Sequence, residues 1–156
     1  MEEIPENPYL LASRRSRFSA WLIDTLIILL FTVPLMYFMD GFDGLAQDPQ
    51  VPPSFEYEII MFVFTFSCYC AINWKLLKAS GQTVGKKLLK IKVVNTDGSP
   101  ISVQQLIFKR YLFMTVLYYI PIIGALLGTA NFLMIFGKQK LALHDRVAKT
   151  KVMNAL

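Results

Sequence analysis

The sequence carries one histidine and two cysteines among its 156 residues, so it has little with which to ligate a metal. Cys68 and Cys70 lie two positions apart inside an apolar run and point in different directions on a helix. A site built from them and His144 would need unusual geometry, so neither a metal nor a cofactor is expected. No Ser-His-Asp or Cys-His arrangement is evident, which removes the usual grounds for hydrolytic or transfer chemistry, and the chain is not expected to be an enzyme. The stretch GQTVGKK, residues 81–87, is too short for a phosphate loop. It has three residues between its glycines and a second lysine after the first, where that motif needs four and a Ser or Thr. Charge is also scarce, with 17% of residues Asp, Glu, Lys or Arg.

What the chain has in excess is apolar surface. Hydrophobic residues make up 54% and aromatic residues 13%, more than a soluble domain of this size requires. Three long apolar runs occur, at Phe18 to Met39, Ile59 to Leu77 and Leu106 to Phe136. A helix of roughly 20 residues crosses a hydrocarbon core of about 30 Å, and backbone groups in lipid must be satisfied within the element, so each run reads as helix. The first run follows Arg14, Arg15 and Arg17 but is long for a secretory signal and lacks a small-residue cleavage site. It reads as a retained membrane helix.

The net charge of +5 does not point to nucleic acid, because the basic residues flank the apolar runs. Lys and Arg collect on the cytoplasmic side of membrane proteins. Arg14, Arg15 and Arg17 therefore place the N-terminus inside, and the loop after the first run, which has five acidic residues and no Lys or Arg, falls outside. The second run returns the chain to a lysine-rich segment. A single third crossing would strand Lys138, Lys140, Arg146, Lys149 and Lys151 outside, against the rule. Pro121 and Gly124 near the middle of the run instead suggest a reversal, with arms of about Val103 to Tyr119 and Ile123 to Phe136. A three-span chain is the competing arrangement.

The expected fold is an all-α integral membrane protein of the bacterial cytoplasmic membrane, multi-pass, with both termini cytoplasmic. It has two long transmembrane helices at about 16–39 and 57–77, joined by an external acidic loop at 40–56. A C-terminal short helical hairpin at about 103–137, re-entrant or two short spans, precedes a cytoplasmic tail at 138–156. Between helix 2 and the hairpin, segment 78–102 is expected to hold a small cytoplasmic β-hairpin turning at Asp97-Gly98, with Pro100 on an edge strand; "TKVMNA" in the tail has similar strand character and could join it. Lys86 and Lys87 read as lipid head-group contacts, and anionic lipid is an expected partner. Gly124 and Gly128 form a G-x-x-x-G pair suited to close helix packing, within the subunit or in a homo-oligomer.

The stretch "RFSAWLIDTLIILL", residues 17–30, keeps Asp24 inside an apolar helix. A charge there costs roughly 2.5 to 3.5 kcal/mol on insertion scales, so something must compensate it. Arg17, seven residues earlier, shares its helix face but sits about 10.5 Å away along the axis. The candidate partners are Arg110, Arg146, Asn73, and Arg17 through water. Asp24 can either lock helices together through such a network or act as a titrating site for proton and cation. His144 reads as a surface residue.

The pattern R-F-x-A-x-x-I-D, the stretch G-Q-T-x-G-K leading to I-K-V-V-x-x-D-G, and the tail LHDRVAKT together resemble the RDD family of bacterial membrane proteins, over about Arg14 to Val152. The arginine and two aspartates that name the family match Arg17, Asp24 and Asp145. Lys149 stands where the family pattern leads one to expect glycine. The resemblance implies a small membrane protein, with transport of unknown ligands the usual suggestion and sodium/proton antiport described for some members. On that implication Arg17, Asp24 and Asp145 form a proton or cation site or a polar network. The alternative is a non-transporting membrane partner that binds another membrane protein or anionic lipid through its basic cytoplasmic face. Asp145 would either cap a tail turn or fold back to neutralise Arg17 or Arg110.

Overall fold

In the computed structural model, the described residues are 11–46, 51–112, 116, 124, 126, 129 and 141–155. Two long helices form its body. Helix α1 spans Arg14–Phe38 and α2 spans Phe55–Ser80, a few residues longer than the hydropathy pattern suggests because both begin at a serine cap outside the apolar run. The Ser13 side chain accepts a hydrogen bond from Ser16 N–H, and the Ser54 side chain accepts one from Tyr57 N–H. Glu56 and Glu58 occupy the first turn of α2 and Lys78 its last, each where the helix dipole favours its charge. The helix ends at Gly81, whose φ of 66° is the left-handed conformation that glycine supplies without strain.

Both helices are long and apolar enough to cross a membrane. Of the most apolar stretch of each, only 17% in α1 and 6% in α2 is buried inside the chain. The core helix of a soluble protein would be mostly covered, so these helices need another apolar surrounding. They run antiparallel. Ala20 and Leu77 share one buried cluster at the end where α1 begins and α2 finishes, and Tyr57 packs on Gly41 at the other.

The compact core lies at the first of these ends, called the base here. Ala12, Ala20, Leu77, Ile91, Val93, Ile101, Leu106 and Val152 form it, drawn from elements along the whole chain. After Gly81 come a one-turn helix, α3 (Val84–Leu88), and strand β1 (Ile91–Asn95); a π-helical segment covers Gln105–Leu112; helix α4 (Leu143–Val147) and strand β2 (Thr150–Asn154) follow. The sheet differs from the expected hairpin. The Asp97-Gly98 turn forms, with Gly98 N–H donating to Asn95 C=O at 2.9 Å, but the chain beyond it makes one bridge, Pro100 to Val94. Proline's missing N–H and fixed φ end that strand at its start. The strand that pairs with β1 is the tail strand β2, antiparallel from Ile91 opposite Asn154 to Asn95 opposite Thr150. The N-terminal stretch joins the same sheet, where Leu11 bridges Met153 and Ala12 N–H donates to Val152 C=O at 3.0 Å.

Lys149, between α4 and β2, has φ of 51°. A glycine would hold this conformation without strain, since left-handed backbone is costly for a residue with a Cβ. Most of the third apolar run, including Gly128 and therefore the Gly124 and Gly128 pairing, lies outside the described residues, as does most of the expected hairpin.

Candidate functional site

Asp24 is compensated from the loop that follows α2. Thr83 Oγ1 donates to Asp24 Oδ2 at 2.5 Å, Gly85 N–H donates to Oδ1 at 2.7 Å, and Lys86 Nζ stands 4.0 Å from Oδ2. Both carboxylate oxygens are thus engaged, and the side chain is 11% exposed. The carboxylate sits at the N-terminus of α3, where free N–H groups and the helix dipole favour an anion. Thr83 also caps α3, accepting from Lys86 N–H at 3.3 Å.

The loop is held from the second long helix as well. Asn73 Oδ1 accepts from Val84 N–H at 2.9 Å, while Asn73 Nδ2 donates to Tyr69 C=O at 2.9 Å. Adjacent amides of α3 are therefore taken by different helices, Val84 by Asn73 of α2 and Gly85 by Asp24 of α1. This joint demands a glycine. A Cβ at residue 85 would stand 2.2 Å from the Ala20 carbonyl oxygen and 3.0 Å from Asp24 Oδ1.

A second network surrounds Asp145. Its Oδ1 pairs closely with Arg110 Nη1, its Oδ2 lies 3.5 Å from Arg17 Nη1, and Oδ2 accepts Ala142 N–H at 3.0 Å in the first turn of α4. Arg110 also donates to Thr150 Oγ1, and Arg17 Nη2 donates to Val152 C=O at 3.0 Å, so both arginines reach β2. The carboxylate is 1% exposed, Arg110 3% and Arg17 8%. Burial alone would raise the Asp145 pKa, but the guanidinium of Arg110, reinforced by Arg17, holds it below the ordinary carboxylate value. His144 Nε2 lies 3.7 Å from Asp145 Oδ1. Burial, together with the positive charge of Arg110, lowers the His144 pKa to about 3, which keeps the imidazole neutral.

Arg17, Asp24 and Asp145 thus fall into two networks. Arg17 and Asp145 meet directly, so Asp145 folds back beneath the helices. Asp24 does not take Arg110, Arg146 or Arg17 as its cation; its ion pair is with Lys86. Asn73 serves the same loop from the opposite helix without bonding to Asp24. The assignment of Lys86 to lipid head groups is corrected by this geometry: its amine turns inward, 3.3 Å from Thr83 Oγ1 and 14% exposed, whereas Lys87 is exposed. Arg146 is exposed on α4. His144, expected at the surface, is half-buried beside the Arg110–Asp145 pair, its side chain 25% exposed. Thr83 and Thr150 are site residues the sequence reading did not single out, and Lys86 was given a different role. The signal for Thr83 and Lys86 was available in Thr83-x-Gly85-Lys86, a cap residue, a small residue and a cation in one turn. Cys68 and Cys70 are free and half-buried in α2, and no group of three or more metal-binding side chains occurs among the described residues.

A family model described as the RDD family matches residues 11–149. The chain is 29% identical over 148 residues to the uncharacterised protein YxaI of Bacillus subtilis (strain 168), an alignment covering 88% of this chain and 93% of that protein. No solved structure matches.

Proposed function

The chain belongs to the RDD family, and from that premise we propose that it is a non-enzymatic, multi-pass protein of the bacterial cytoplasmic membrane that serves as a partner for another membrane protein or for anionic lipid. Its three family residues act in this reading as fasteners of the cytoplasmic end. The observation that carries it is the state of Asp24. With Thr83 on one oxygen, Gly85 on the other and Lys86 alongside, the carboxylate is spent on joining α1 to α3. A protonated Asp24 would lose acceptor strength toward both donors and loosen that joint.

Other contacts at the base support the topology of this reading. Leu11 pairs with Met153, so the stretch before α1 and the strand β2 meet at the base. Arg110, near the start of the third apolar run, and Asp145, beyond its end, touch as well. That juxtaposition supports a run that leaves and returns, with both termini inside. Exposed Arg14, Arg15, Lys87, Lys90, Lys109 and Lys149 then form a cationic face toward the cytoplasm, suited to anionic head groups or an acidic partner surface. Assembly of copies through Gly124 and Gly128 belongs to the same reading.

Cation/proton exchange at Asp24 is the second reading. What favours it is the 4.0 Å spacing of Lys86 from Asp24, loose enough for an ion to replace the ammonium. Purified protein in sealed vesicles separates the two. The partner reading expects no cation-dependent pH change from the native protein, and a lowered melting temperature for Asp24→Asn. A cation-driven pH change that a folded Asp24→Asn protein lacks would establish exchange instead. An externally accessible C-terminal tag would overturn the topology.

A further inference from the structure

The two networks around Asp24 and Asp145 share one aromatic ring. Tyr111 follows Arg110 in the π-helical segment. Lys86 Nζ, the cation of Asp24, lies 5.7 Å from its ring centroid, and Arg110 Cζ, the cation of Asp145, lies 6.0 Å from it. Both distances are in the range at which a ring attracts a cation, and the attraction is stronger where water is excluded. A second path leaves the same ring. Tyr69 of α2 packs on Tyr111 with centroids 5.0 Å apart; its carbonyl accepts from Asn73, which in turn holds Val84 N–H of α3.

We infer that Tyr111 is a positioning residue that couples the Asp145 pair to the Asp24 joint, so that a disturbance at the tail reaches α3. The route is physical at each step. Arg110 is anchored by Asp145 and Thr150, and it shares a helical turn with Tyr111. Movement of its guanidinium therefore moves the ring against both Lys86 and Tyr69. Lys86 then shifts relative to Asp24, while Tyr69 shifts relative to Asn73. These are the groups that grip the two leading amides of α3. The inference does not depend on whether the protein transports an ion, since it concerns how two parts of the base respond to each other.

Hydrogen–deuterium exchange on the full chain in nanodiscs tests it. Thr150→Val removes one anchor of Arg110 while keeping the β-branched shape. It should loosen residues 142–150 and also raise exchange of residues 83–88 by about threefold or more, a change within the usual range of coupling between sites. The effect on 83–88 should survive at least in part in a Tyr111→Phe background, which keeps the ring but not its hydroxyl, and disappear with Tyr111→Leu, or with Tyr111→Met should the leucine variant fail to fold. In the reverse direction, Thr83→Val should raise exchange at 142–150 only when the ring is present. Unchanged exchange at 83–88 on Thr150→Val, or an equal rise with and without the ring, would overturn the inference.

Discussion

Arg17 and Asp145 come from opposite ends of the chain and meet at 3.5 Å, while Arg110 takes the other oxygen of the same carboxylate. One buried anion therefore stands between two buried guanidiniums. Such a pair adds little stability over a well-packed apolar substitute, but removing one member leaves uncompensated charge behind.

Replacing Asp145 should accordingly be severe. Asp145→Asn keeps the shape of the side chain but leaves Arg17 and Arg110 without their anion, at a cost of about 3–5 kcal/mol. Thermal unfolding in detergent should show a large drop in melting temperature, and Asp145→Glu should recover part of it.

Gly85→Ala tests the contact of α3 with α1. The added methyl meets the Ala20 carbonyl oxygen, a backbone atom with little room to move, at 2.2 Å. Overpacking of this kind costs typically about 1–3 kcal/mol. The pairing Ala20→Gly with Gly85→Ala should not rescue it, because the clash is with backbone; a recovery in melting temperature would place the obstruction elsewhere.

Thr83→Val removes the hydroxyl that binds Asp24 while nearly keeping the volume. A buried carboxylate oxygen deprived of its donor costs about 1–3 kcal/mol, and the α3 cap is lost with it. Thr83→Ser restores both bonds and should behave close to the native protein in the same unfolding measurement.

The pH dependence should be dominated by His144 in the mildly acidic range. Its folded-state pKa of about 3 lies below the ordinary 6.5, so between those values the unfolded chain binds the extra proton. Stability is then full above about pH 6.5 and falls as the pH drops toward 3. Asp145, also depressed in the folded state, contributes stability that is present above its unfolded value near 3.9 and is lost as the pH falls through its folded value. His144→Gln should therefore flatten the melting-temperature profile between pH 7 and pH 5. A profile equally steep in that variant would remove His144 as its source.

Lys149→Gly should stabilise. The native φ of 51° costs a lysine about 1–2 kcal/mol, and glycine's greater freedom in the unfolded chain returns part of the gain. A net rise of about 0.5–1 kcal/mol is expected, read as a higher denaturation midpoint.

Much of this architecture could be read from the chain because hydropathy is a local property. The two long helices fell within a few residues of their expected bounds, and the need for a partner at Asp24 followed from its setting alone. The partner itself did not. Lys86 is far from Asp24 in sequence, and nothing in the periodicity of α1 says which of several cations will reach it; Arg110, which looked equally suitable, is claimed by Asp145. The sheet is legible only in part for a related reason: the tail strand TKVMNA joins it as its strand character suggests, but the sequence does not show that it takes the main pairing with β1. The turn chemistry of Asp97-Gly98 is local and was read correctly, whereas the choice of β2 over the post-turn segment depends on a pairing between distant strands. His144 is drawn partly out of solvent because it neighbours Asp145, whose burial depends on arginines distant in the sequence.

The tail strand has a consequence for biogenesis. Thr150 and Val152 supply contacts to Arg110 and Arg17, and both lie in an element that leaves the ribosome after the two long helices. Until β2 emerges, the base of the protein is an unfinished joint with cationic side chains seeking acceptors. Membrane insertion of the long helices and closure of the base are therefore separate events in time. A product cut short within β2 would be inserted yet unsealed, the kind of molecule that membrane proteases remove.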